Sequence, residues 1–237
     1  MIEIGLGTSG LPGNLSFEKY GDLIRGSIKA GVNFVDTAPL YGSNERLLGN
    51  LSERKELRIC TKLGLDKSPS FGDGMVGSLL NGLLGRANSG PKRVEFLKGD
   101  KSKVFASLER SLSLLKLSAI DTYLYHAATS DDQLLYVRDF LSELKTSGLV
   151  RRVGFSADEY FSTDTSWCDV VQVPLRGIKW FQGDFDLIVN RVFAEGSGDI
   201  EPISSVHSGR LITVLIGTSR IERIQELNAR VIKLQSN

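Results

Sequence analysis

Short β-rich runs alternate with longer helical patterns along almost the whole chain, and no other feature of the sequence limits its possible folds so strongly. Eight runs read as strands: Glu3 to Leu6, Asn33 to Thr37, Arg58 to Leu63, Ala119 to His126, Arg152 to Ser156, Asp169 to Val173, Asp186 to Arg191 and Ile212 to Gly217. Most are dense in Val, Ile and Leu, as strands covered on both faces are. Helical patterns fill the intervals: Ser16 to Ala30, Asn44 to Leu51, Ser102 to Leu117, Asp131 to Ser147 and Ser219 to Leu234, with shorter ones from Ala157 and near Ile178. Ser16 suits an N-cap, and Gly31 and Gly148 stand where helices end. Parallel strands need a crossover each, usually a helix, so eight such units predict an α/β fold closed into a (β/α)8 TIM barrel rather than an open doubly wound sheet. One barrel domain accommodates residues 1–237.

Two intervals break the rhythm. The loop after the third strand, Asp66 to Lys101, is rich in Gly and Ser and far longer than the usual βα loop of about two to six residues, which predicts a functional loop or lid. The interval before the last strand, Ala194 to Leu211, has room for only a short helix.

Lys and Arg number 29 against 28 for Asp and Glu, so no global field attracts nucleic acid or an anionic membrane, and an anion site must be local. No run approaches the roughly 18 apolar residues of a membrane span, and the N-terminus lacks a signal-peptide pattern, so a cytoplasmic location is expected. Cys60 and Cys168 sit in apolar strand-like contexts without metal-ligand spacing, and the only histidines are His126 and His207. Reduced, buried thiols and no metal are expected.

In a β/α barrel the active site lies at the C-terminal ends of the strands. Asp36, Lys62 and His126 each close an apolar strand, and Tyr41 lies on the loop just after Asp36. Taken singly, each has a plain structural reading: a loop cap, a snorkelling lysine, a core histidine, an amphipathic loop residue. Together they supply one chemistry. A phenol of pKa about 10 is a poor acid-base group at neutral pH, but an ammonium beside it moves it toward the working range. Lys62 is that ammonium, and a carboxylate, Asp36, is needed to keep it charged in a dry barrel mouth. His126 then adds a second donor to a carbonyl oxygen beside Tyr41.

With these residues in place, the chain resembles the aldo-keto reductase family. The resemblance is carried by "GVNFVDTAPLYG", "CTKLG", "IDTYLYH", "VRRVGFSA", "DVVQVP" and "VLIGTSRIERIQELN", in the family's order. It implies that Asp36, Tyr41, Lys62 and His126 are the catalytic tetrad of a carbonyl-reducing oxidoreductase with a small-molecule aldehyde or ketone substrate. It also implies NADP(H), bound without a Rossmann domain, with Ser156 and Gln172 at positions that hold the nicotinamide carboxamide. An alternative is a nicotinamide-binding relative that does not turn over and acts through a protein partner. The oligomeric state stays open.

Independently, "IGTSR" followed by "IERIQELN" reads as a strand end turning into a helix N-terminus, where backbone N–H groups favour phosphate. Gly217, Thr218 and Ser219 form that turn, and Arg220 and Arg223 offer fork-shaped donors suited to a 2′-phosphate. The chain departs from the family pattern in two places. Ala157 stands where an Asn usually follows the serine, and "VNRVFAEG" replaces the usual segment after the seventh strand. Asn190 and Arg191 are the alternatives for the group that stacks on nicotinamide, with Arg191 taken as cofactor-binding.

Overall fold

The computed structural model describes residues 1–11, 15–67, 91–93, 101–193, 200–206 and 209–235. Its strands are β1 (Ile2–Gly7), β2 (Phe34–Asp36), β3 (Arg58–Leu63), β4 (Leu65–Lys67), β5 (Pro91–Arg93), β6 (Ile120–Tyr125), β7 (Val150–Ser156), β8 (Val170–Pro174), β9 (Asp186–Asn190) and β10 (Ile212–Ile216). The helices are α1 (Phe17–Lys29), α2 (Asn44–Gly49), α3 (Ser102–Leu115), α4 (Asp131–Leu135), α5 (Arg138–Thr146), α6 (Glu201–Ser204) and α7 (Ile221–Gln235).

Eight strands close into a parallel barrel in the order β1, β10, β9, β8, β7, β6, β3, β2, and β2 pairs back with β1. All eight expected strands form, and the fold is a (β/α)8 TIM barrel. β4 and β5 are a separate antiparallel pair that ties the start of the long loop to a later part of it, with Leu65 opposite Arg93. The remainder of that loop, and with it the expectation of a lid, lies outside the described residues.

Side chains alternate along a strand, so every second residue of each barrel strand points to the axis. Phe34, Cys60, Leu124, Val170, Ile188 and Leu215, all buried, fill the barrel as one cluster. A second, larger apolar cluster lies between strands and helices, with Leu6, Val35, Ile59, Tyr123, Phe155 and Val214 facing Ile24, Leu108, Leu141 and Leu227. Each fully buried aliphatic side chain there contributes about 1.5–3 kcal/mol. Where β7 crowds β8, the inward residue is Gly154, and a Cβ there would lie 1.8 Å from the Val170 carbonyl oxygen. Any side chain at 154 would force the two strands apart.

The helices follow their sequence signals with three corrections. Ser16 caps α1 by accepting from Lys19 N at 3.3 Å, and Gly31 follows with φ 92°. The helix expected over Asp131 to Ser147 is two helices, because a tight Val137 N to Leu134 O bond of 3.0 Å interrupts it and turns Val137 into the core. No helix starts at Ala157. Asp164 instead accepts from Ser166 N at 2.9 Å, and its carbonyl accepts from Trp167 Nε1 at 3.0 Å, local bonds that compete with helix formation. Near Ile178 there is only a 3-10 turn, Leu175–Gly177. The rings of Phe155, Phe161, Trp167 and Phe181 pack together on this side of the barrel.

Candidate active site

The same alternation that fills the barrel builds its mouth. Two residues beyond the inward apolar positions Phe34, Cys60, Leu124, Val170, Ile188 and Leu215 stand Asp36, Lys62, His126, Gln172, Asn190 and Gly217. Ser156 follows Gly154 in the same way. A cleft of about 390 Å³ opens there, lined by Asp36, Tyr41, His126, Ser156, Asp158, Gln172, Asn190, Arg191, Phe193 and Gly217 among others. Lys62 lies beneath it, 1% exposed.

Asp36 and Lys62 form a buried ion pair, and the Lys62 ammonium also donates to the Thr37 carbonyl at 3.1 Å. Burial, the strongest single influence on Lys62, works against its charge, but Asp36, with smaller contributions from Tyr41 and Cys60, outweighs it and holds the ammonium above the ordinary lysine range. Gln172 Nε2 approaches the same carboxylate at 3.4 Å. Tyr41 ends a 3-10 turn, Pro39–Tyr41, which places its hydroxyl 3.4 Å from His126 Nε2. The two rings meet edge to face at 5.7 Å, and Lys62 Nζ lies 5.3 Å from the centre of the phenol ring.

One expectation fails. Lys62 was expected to bring the Tyr41 phenol down toward neutrality. Burial raises it more than Lys62 lowers it, and the phenol is pushed up to about 12. At neutral pH Tyr41 keeps its proton and has it to donate. Lys62 stabilises the phenolate only after that proton has left.

On the opposite side of the cleft, two buried acceptors, Gln172 Oε1 and Asn190 Oδ1, have no donor among the described residues. Ser156 Oγ accepts from Ala127 N at 2.8 Å, so its own hydrogen remains to be donated. These groups fit a primary carboxamide, which brings both donors and an acceptor. Arg191 is half-exposed at the rim in the left-handed region, φ 57°, and pairs with Asp158 at 2.9 Å. Of the two alternatives at this point, Asn190 holds the inward position and Arg191 lies just past the strand.

Thr218, Ser219, Arg220 and Arg223 do not line the cleft. They continue from Gly217, which does, into the N-terminus of α7. Thr218 Oγ1 accepts from Arg220 N at 3.1 Å, and Arg220 and Arg223 are exposed and make no ion pair among the described residues. Sequence reading missed Asp158 and left Asn190 out of the binding set. Counting two residues past inward Ile188 would have found Asn190; no comparable signal marks Asp158. Among the described residues no cluster of His, Cys, Asp or Glu could hold a metal ion, and no helix is long and apolar enough to cross a membrane.

A model of the aldo/keto reductase family matches residues 3–173. The chain belongs to that family. It is 27% identical over 159 residues to the uncharacterized oxidoreductase YqkF of Bacillus subtilis (strain 168), a match covering 65% of this chain and 44% of YqkF. The chain thus spans less than half the length of that relative. An aldo-keto reductase from Bacillus halodurans in its holo form superposes with a TM-score of 0.70 at 19% identity, over 97% of this chain and 86% of that one. An aldo/keto reductase from Klebsiella pneumoniae, in complex with NADP and acetate, does so with a TM-score of 0.64 at 16% identity, over 99% and 90%. At these identities the structural likeness shows the shared fold.

Proposed function

We propose that the chain is an NADPH-dependent oxidoreductase that reduces an aldehyde or ketone to an alcohol, with Tyr41 as general acid. The observation that carries this reading is the meeting of Tyr41 Oη and His126 Nε2, 3.4 Å apart at the cleft, beside a buried Lys62–Asp36 pair. A carbonyl oxygen seated between them faces two donors. The Tyr41 hydroxyl transfers its proton as negative charge grows on that oxygen, and a ring N–H at His126 Nε2 stabilises the same charge. Lys62 receives the phenolate left behind, held in place by Asp36 and the Thr37 carbonyl. Reduced nicotinamide, when bound, supplies the hydride.

Support for NADP(H) comes from the fit of the second side of the cleft and from the NADP in the Klebsiella pneumoniae relative. Gln172, Asn190 and Ser156 would hold the carboxamide. Gly217, Thr218 and Ser219 at the start of α7, with Arg220 and Arg223, would hold the phosphate, since helix N-termini and guanidinium forks both suit that anion. Arg191 would reach the cofactor from the rim. The test is consumption of NADPH with a panel of aldehydes and ketones, repeated with Tyr41→Phe. If the wild type binds NADPH but reduces none of them, the chain is instead a nicotinamide-binding relative that acts through a protein partner.

A further inference from the structure

Tyr41 reaches His126 from a turn that contains little to hold it there. Its backbone N–H bonds within the turn, Tyr41 N to Ala38 O at 2.9 Å. The next residue, Gly42, has φ 73° and ψ −124°, a conformation that side-chain-bearing residues rarely adopt and a natural swivel. α2 follows at once, but at six residues it is too short to be stable by itself. The direction of the phenol must therefore be set from outside the turn.

Two side chains do so, and both are buried. Asn44 Nδ2 donates to the Thr8 carbonyl at 3.0 Å. Thr8 in turn donates to the Asp36 carbonyl from its N–H at 2.9 Å and from its hydroxyl at 3.0 Å. Glu45, 1% exposed, accepts from the Thr61 hydroxyl at 2.7 Å. Thr61 is the neighbour of Lys62 on β3, and by strand alternation it faces away from the cleft, toward α2. The far end of α2 is seated against α3: at Gly49 a Cβ would lie 1.9 Å from the Leu114 carbonyl oxygen, and Lys116 Nζ donates to Asn50 Oδ1 at 2.6 Å.

A carboxylate is costly to bury, and packing alone would be served as well by an apolar side chain. What an apolar side chain lacks is a fixed direction. Through Asn44 the segment carrying Tyr41 is bonded to the frame of Asp36, and through Glu45 to the strand of Lys62.

We infer that Asn44 and Glu45 are positioning residues for the Tyr41 phenol, and that Thr61, which does not face the cleft, acts on catalysis through Glu45. This inference rests on the proposed role of Tyr41. Neither residue touches substrate or cofactor, so both should act on turnover and leave cofactor affinity alone.

The experiment compares Thr61→Val, which keeps the shape and removes the hydroxyl, with Thr61→Ser, which keeps the hydroxyl. NADPH affinity is measured by fluorescence titration, kcat and KM with the best carbonyl of the panel. Thr61→Val is expected to lower kcat about tenfold or more, since misplacing a reacting group by about 1 Å can cost about a hundredfold, while Thr61→Ser stays within about twofold. NADPH affinity should hold within about twofold in both. Asn44→Ala gives an independent reading should Thr61→Val fold poorly: kcat falls and cofactor affinity does not. Equal losses in Thr61→Val and Thr61→Ser, an unchanged kcat in Thr61→Val or Asn44→Ala, or losses that track NADPH affinity would overturn the inference. Tyr41→Phe separates the two levels. If it leaves turnover intact, the reading of the site has failed; if it abolishes turnover while Thr61→Val does not lower it, only the positioning role has.

Discussion

The two sides of the cleft differ in which of their groups are bonded. On the side built by β2, β3 and β6, Lys62 is satisfied by Asp36 and Thr37, and Tyr41 meets His126. On the side built by β8, β9 and β10, Gln172 Oε1 and Asn190 Oδ1 lack donors, and Arg220 and Arg223 stand without ion pairs among the described residues. The first side holds Lys62, Asp36, Tyr41 and His126 against one another without a ligand, which is the condition for electrostatic preorganisation. The second has acceptors that no donor among the described residues fills, and a ligand can fill them. The family match, residues 3–173, takes in the whole first side and ends at the second. The proposed chemistry therefore lies within the matched residues, and the proposed cofactor grip extends beyond them.

The comparison can be broken most sharply at Tyr41. Tyr41→Phe should lower kcat for carbonyl reduction by about 10²- to 10⁴-fold, the usual contribution of a general acid, with NADPH affinity near wild type by titration. Next comes the pair beneath it. Lys62→Met leaves the Asp36 carboxylate buried and unpaired, so denaturant unfolding should show a loss of about 3–5 kcal/mol, whereas the exposed Arg220→Ala should show almost none.

On the binding side the order of effects reverses. Arg220→Ala or Arg223→Ala should cost about 1.5–3 kcal/mol of NADPH affinity, the worth of a charged hydrogen bond, and leave NADH affinity almost unchanged. Parallel titrations of the two cofactors check this, and an unchanged ratio would remove the arginines from the phosphate site. Asn190→Leu should weaken cofactor binding by about 1 kcal/mol, one ordinary hydrogen bond, without lowering the stability of the free protein, because it deletes an acceptor that has no partner. The smallest effect is one of constancy. With the phenol held up to about 12, the proton on Tyr41 persists through the range where an ordinary tyrosine loses it, so kcat for reduction should not fall around pH 10 through this group. An alkaline loss centred near pH 10 that disappears in Tyr41→Phe would show that Lys62 outweighs burial.

Much of the site was legible because a barrel strand has a period of two. A polar residue closing an apolar strand, as Asp36, Lys62, His126 and Gln172 do, stands out from sequence alone. Asn190 obeys the same rule but is followed by Arg191, and the sequence alone leaves the two as alternatives. Glu45 was invisible for the opposite reason: "SNER" reads as a solvated helix start, and only the packing of α2 against β3 shows that its carboxylate is buried. The helix expected from Ala157 was lost to side chains that bond their own backbone, a competition that helical periodicity does not register.

By itself the sequence determined the barrel and the rank of its strands, since strand–helix alternation and inward periodicity are properties of neighbours along the chain. It also determined which residue types would meet at the mouth. Only the tertiary structure decided their electrical state and their bonds across the chain. How firmly Tyr41 holds its proton depends on how much water surrounds it and how near Lys62 lies, and both are set by elements far apart in sequence. The same holds for Glu45 and Thr61, whose bond exists only because β3 closes beside α2.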